Sequence, residues 1–165
     1  SNVRFLMGYS LEMGGEEIAE VEFENGDTQT VRSGQGGSMA FGAEAQIPNI
    51  DFLMFQATAG IKYVTNQAEN ANIRLTRFPL EFMAHFAITP DLSIGGGLSY
   101  HTDINLKGEN MVEQKKFDNA AGPVLEAAYK GFGLRYSNLN YTDQYGDKYD
   151  ASALGFYYKF TFNVM

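Results

Sequence analysis

Ser99, His101 and Asp103 stand two residues apart, and a hydroxyl with an imidazole and a carboxylate in reach is the composition of an acyl-transfer nucleophile. Residues two apart also share one face of any extended strand, so parity alone produces this spacing, and geometry has to decide before reactivity is argued. A larger set is dispersed along the chain: Arg4, Glu12, Glu44, Lys62, Arg77, Glu81, His85, Glu126, Arg135 and Lys159. A third group, Glu12, Glu16, Glu17, Glu20, Glu22, Glu24 and Asp27, could collect divalent cations. It lacks the ligand spacing of a calcium loop and reads as a solvated loop, as do Asp143, Asp147 and Asp150. His85 and His101 are too far apart for a metal motif, and Gly34-Gln35-Gly36-Gly37 has no strand-to-helix context that would make it a phosphate loop. No metal and no cofactor are expected.

The elements that must position these residues are bounded by composition. The chain has 165 residues, enough for one domain spanning 1-165, and no cysteine, which excludes disulfides and thiolate metal sites. A formal charge of -8 argues against nucleic acid as a partner. No apolar run approaches the ~20 residues of a transmembrane helix, and mean hydropathy is -0.26. Membrane strands need only ~10 residues of alternating hydrophobicity, so that test leaves a barrel open. No signal peptide opens the chain, and Ser1-Asn2 reads as a cloning remnant on a mature or truncated sequence. With 18 Gly, 13 Phe, 10 Tyr and 4 Pro the composition favours strands and turns.

A period of two recurs along the sequence. In Ser152 to Met165, Phe156, Tyr158, Phe160, Phe162 and Val164 fall on one face, with Tyr157, Lys159, Thr161 and Asn163 on the other. Val3 to Met13, Met39 to Ile47, Phe52 to Thr65, Ile73 to Ile88, Leu92 to His101 and Ala121 to Tyr129 alternate in the same way. In Phe132 to Thr142, Leu139 and Tyr141 fall on the polar parity, which predicts a bulge or an exit from the membrane near Asn138. Pro79 and Pro123 each remove a ladder hydrogen bond and predict local bulges. Short links (Pro48 to Asp51, Thr89 to Asp91, Lys130-Gly131) alternate with longer ones (Gly14 to Ser38, Asn66 to Asn72, Asp103 to Asn119, Asp143 to Ala151). In the first long link, Asn25-Gly26 between Val21 to Glu24 and Thr28 to Val31 predicts a hairpin standing above the membrane.

Eight alternating strands, turns on one rim and loops on the other resemble the eight-stranded outer-membrane barrels of the OmpA-domain and OmpX type across essentially the whole chain. The closing Tyr158-Lys159-Phe160-Thr161-Phe162 resembles the aromatic signal that the barrel assembly machinery reads, carried by Tyr158, Phe160 and Phe162. The chain ends in Met165 where that family usually ends in Phe, and without Trp its aromatic girdles fall to Tyr and Phe. The resemblance implies an all-β, eight-stranded antiparallel up-and-down transmembrane barrel. Its turns would be periplasmic and its longer loops extracellular, in the bacterial outer membrane, as a monomer amid lipid and lipopolysaccharide.

With apolar faces toward lipid, the ten dispersed residues line the interior. Apart from His85 they comprise five cations and four anions. An eight-stranded barrel is just wide enough for side chains to fill, so the charges must pair across the lumen, with His85 a buried hydrogen-bonding member. The expected role is non-enzymatic: surface contact or envelope integrity through the loops and the hairpin at residues 17 to 33, with a possible extracellular partner. Alternatives are a narrow channel or small-molecule carrier, a lipid A-modifying enzyme using Ser99, and a soluble lipocalin-like barrel with the faces reversed.

Overall fold

A computed structural model describes residues 2–22, 28–68, 71–108 and 115–163. The strands are β1 (Val3–Met13), β2 (Glu17–Glu22), β3 (Thr28–Arg32), β4 (Gly36–Ile47), β5 (Ile50–Ala68), β6 (Ala71–Ala87) and β7 (Leu92–Gly108). They continue with β8 (Lys115–Phe117), β9 (Ala120–Tyr129), β10 (Phe132–Ser137), β11 (Asn140–Thr142), β12 (Lys148–Asp150) and β13 (Ala153–Asn163). Eight of them close a ring of antiparallel pairs in the order β1, β4, β5, β6, β7, β9, β10, β13 and back to β1. The fold is an eight-stranded antiparallel barrel. Closure leaves no free edge among the ring strands, which is how a sheet satisfies its backbone without solvent.

The short links lie on the rim where the chain starts, and the Asn2 carbonyl accepts from the Gln46 amide at 2.8 Å. Asn49 has φ 68°, and Lys130 and Gly131 have φ 53° and 87°, the pair of positive values that a type I′ turn demands. On the opposite rim three strands outgrow a membrane span of ~10 residues: β5 has 19 residues, β6 and β7 17 each. The link Asn66 to Asn72, expected as a loop, is therefore almost wholly a tall hairpin, and β7 runs well past His101.

Outside the barrel, large apolar side chains are exposed all round, Leu11 at 73% and Phe156 at 70% among them. Above the band the pattern inverts. Ile73 and Leu75 of β6, Ile104 and Leu106 of β7, Leu139, Tyr141 and Ala151 point inward and pack with Ile18 and Val31 of the β2–β3 hairpin and with Phe117 into one buried apolar cluster. Leu139 and Tyr141 needed no bulge: β10 ends at Ser137, β11 begins at Asn140, and Arg135, Ser137, Leu139 and Tyr141 keep the same inward parity. What changes is their surroundings, since both residues join the buried apolar cluster above the exposed belt.

A bulge does occur between β6 and β7. Thr76 pairs with Asn105 and Phe78 with Thr102, leaving Arg77 opposite both Asp103 and Ile104, and Asp103 takes φ 47°. The extra residue reverses the parity of β7, sending Ile104 and Leu106 inward. Pro79 lies two residues away, in register with His101. At Pro123 no bulge forms, correcting the expectation: the β7–β9 register runs unbroken through the Leu98–Pro123 pair. The Pro123 carbonyl accepts from Asn138 at 3.0 Å, so its ring nitrogen faces the same neighbour, where β10 has already ended and the missing donor disrupts least.

The loops are tied to one another. Phe117 bridges to Asp143 between β8 and the β11–β12 pair, and the Asp150 carbonyl accepts from the Glu16 amide at 2.7 Å and from the Ser33 hydroxyl at 2.5 Å. β2 pairs with β3 as the hairpin reading expects, while Asn25-Gly26 at its tip lies outside the described residues.

Candidate functional site

Alternation brings the predicted interior residues into the lumen. Glu12, Glu44, Lys62, Arg77, Glu81, His85, Glu126 and Arg135 are buried, with Arg4 and Lys159 partly exposed toward the turn rim. Arg135 is the hub: Nη2 lies 2.6 Å from Glu81, Nη1 3.4 Å from Glu126 and Nε 3.8 Å from Glu12. Glu126 also receives Lys159 at 2.5 Å and meets His85 Nε2 at 2.8 Å, while Lys62 stands 3.5 Å from Glu12. At the rim Arg4 donates to Glu44 at 2.5 Å. Gln56 joins the two halves, donating to Glu44 at 2.8 Å and accepting from Lys159 at 2.9 Å. Gln56 was not singled out in the sequence, although it shares the inward parity of Lys62.

Arg77 departs from the expected pairing. It is fully buried and donates to the carbonyls of Ser33 at 2.9 Å and Gln35 at 2.5 Å, and from Nε to the Tyr141 hydroxyl at 3.2 Å. Arg77 takes its acceptors from the return of the first loop instead of from a carboxylate. Lys62 adds a bond to the Gly34 carbonyl at 2.9 Å. The lumen charges thereby fix the base of the hairpin.

So narrow a lumen also needs glycines. A Cβ at Gly133 would stand 2.6 Å from the Tyr157 ring, and at Gly155 2.7 Å from Glu12 Cγ. Large inward side chains lie across the strand partner that has none.

Ser99, His101 and Asp103 do not assemble. The Ser99 hydroxyl donates to Glu81 at 2.7 Å, His101 Nδ1 meets the Tyr141 hydroxyl at 2.6 Å, and the bulge turns Asp103 outward. The acidic cluster is divided as well. Glu12 belongs to the lumen network, whereas Glu16 and Glu17 are exposed, Glu17 lying 3.5 Å from Arg32. The side chains of Glu20 and Glu22 and the whole of Glu24 and Asp27 lie outside the described residues. Among the described residues no group of three or more His, Asp or Glu is placed to hold a metal ion. Asp143 is a turn organiser, accepting from the amides of Tyr145 at 3.0 Å and Asp147 at 2.9 Å. Hydrogen bonds from Ser152 hold the Asp150 carboxyl below the usual carboxylate range.

The lumen has three levels. At the turn rim a polar vestibule of about 360 Å³ opens between Arg4, Ser93 and Gly131. Leu6, Tyr157 and Lys159 divide it from an inner cavity of about 30 Å³. Above that lie Lys62 and Arg77, then the apolar cluster. Tyr158, Phe160 and Phe162 are on the outer face across the closing seam, with the ring of Phe162 tilted against Phe5 at 5.4 Å and that of Tyr158 tilted against Phe132 at 4.5 Å.

Among solved structures, that of Ail, the attachment invasion locus protein of Yersinia pestis, is similar with a TM-score of 0.50 at 13% identity, over 96% of this chain and 97% of that one. A structure of Ail in complex with the heparin analogue sucrose octasulfate covers the same shares with a TM-score of 0.46 at 13% identity. The likeness is one of fold. No protein-family model matches the chain, and no curated protein matches it.

Proposed function

We propose that this chain is an integral protein of a bacterial outer membrane, with a closed lumen, that acts through its cap of tied loops as a surface for contact with other molecules. The observation that carries the membrane reading is the inversion of pattern along one barrel. A belt of exposed Phe, Leu and Tyr surrounds an interior rich in paired charges, and above that belt inward apolar side chains gather into a buried cluster. A soluble barrel with a ligand cavity would have the opposite arrangement at the belt. The similarity to an attachment invasion locus protein supports a surface-contact role at the level of fold.

The channel reading has the apolar cluster and the paired charges standing across its path. The enzyme reading has Ser99 committed to Glu81 and not to an imidazole. Lipid and lipopolysaccharide contact the belt in this proposal. Tyr158, Phe160 and Phe162 serve barrel assembly, and the chain works as a monomer without catalysis.

The test is fractionation of expressing cells together with gel mobility, boiled against unboiled. The proposal requires a heat-modifiable band in the outer-membrane fraction and no conductance steps in a planar bilayer. Lysines at Glu16, Glu17, Glu20 and Glu22 should then reduce cell-surface binding without altering the band shift. A protein soluble without detergent would overturn the membrane reading, and unaltered binding would overturn the role of the hairpin.

A further inference from the structure

The vestibule of about 360 Å³ opens at the turn rim, with the charge network and the apolar cluster standing above it, and it is of a size that takes a small molecule. Its side chains have spent their acceptors. Glu44 receives Arg4 on one oxygen and Gln56 on the other, and the Gln56 carbonyl receives Lys159. Glu126, behind the wall, receives Lys159 and meets His85 on one oxygen and turns the other toward Arg135 at 3.4 Å. Asp51 and Asp91 stand on the same rim, exposed and outside the lining.

The donors are not spent. Tyr157, 4% exposed in the inner wall, has a buried hydroxyl without a hydrogen-bond partner, and such a group is costly until something meets it. Beside it Lys159 Nζ lies 5.1 Å from the Tyr157 ring centroid, donates to Glu126 and Gln56, and has a third N–H to give. Arg4 uses Nη2 on Glu44, and Lys130 stands at the lip with its ammonium 5.5 Å from the Tyr129 ring centroid. Leu6, Met54, Pro90 and Ala128 make the rest of the wall apolar. We infer that the vestibule binds a small organic acid from the turn-side solvent, its carboxylate meeting Tyr157 and Lys159 and its apolar body lying against Leu6 and Met54. A phosphate ion would satisfy the donors but leave the apolar wall wet. The site depends on the closed barrel and not on the cap, so its loss would leave the surface-contact role untouched.

The experiment is a titration of the refolded barrel in zwitterionic detergent micelles with 4-fluorobenzoate, followed by fluorine NMR. Wild type should bind it saturably. Tyr157→Phe removes a hydroxyl that holds no bond and so keeps the fold, and it should weaken binding about ten- to hundredfold, the usual loss of one hydrogen bond to a charged group. Ala128→Leu, which fills the vestibule, should abolish binding, and the uncharged 4-fluorobenzamide should not displace the acid. Uptake that never saturates and is equal in all three proteins is partition into micelles and overturns the site. Affinity unchanged in Tyr157→Phe, or displacement by the amide, overturns the role of the carboxylate. Displacement by inorganic phosphate at equal ionic strength overturns the organic acid in favour of a bare oxyanion.

Discussion

The imidazole of His85 lies face-on across Gly95, its antiparallel partner in the next strand: a Cβ on Gly95 would stand 2.6 Å from both Cε1 and Nε2 of the ring. The same Nε2 contacts Glu126 at 2.8 Å, so the glycine leaves the space that lets His85 join the network. Gly95→Ala should destabilise the barrel by about 1–3 kcal/mol, the usual cost of an added methyl in a packed interior. In a His85→Ala background the same change should be nearly neutral. Urea unfolding in lipid vesicles, read by the unboiled band, gives the double-mutant cycle, and additive effects would contradict the contact.

Arg135 touches three glutamates, so Arg135→Met should cost more than loss of any one pair, about 3–5 kcal/mol, because carboxylates remain buried without their cation. Adding Glu81→Gln should recover part of that loss. Recovery is read from the same unfolding curves, and a double variant weaker than the sum of the two singles would count against a shared ion pair.

Removing side chains from the apolar cluster should loosen the cap ahead of the barrel. Leu75 and Leu106 are buried above the charge network, and their pairing in register places both changes at one level. Leu75→Ala with Leu106→Ala should cost about 2–5 kcal/mol per site within the cap. Hydrogen exchange should accelerate at Thr28–Arg32 and Asn140–Thr142 while amides of β1 and the lower β13 keep their protection. Uniform loss of protection would mean that cap and barrel unfold as one unit.

Arg77→Lys keeps the charge but not the fork that spans two carbonyls and a hydroxyl. The hairpin base should then open more often, and trypsin should cleave after Arg32 faster than in wild type. An unchanged cleavage rate would show that the backbone bonds of Ser33 and Gly34 hold the loop without Arg77.

The sequence by itself determined the barrel and its interior. Side chains of a strand alternate with period two, so Phe78, Leu80 and Phe82 opposite Arg77, Glu81 and Met83 assign their faces before any fold is known, and the ten interior residues follow from parity. Two things were left to the tertiary structure. Parity assigns a face but no partner across the lumen: the pairing of Arg135 with three glutamates, the turning of Arg77 to carbonyls and the passage of Gln56 between two charges depend on ring closure and strand stagger. Parity also assumes one solvent along the whole strand. Ile73, Leu75, Leu139 and Tyr141 sit on the face that is polar lower down, and they became core only because the tall strands leave the apolar belt and the loops fold over them, where burying apolar surface means turning inward.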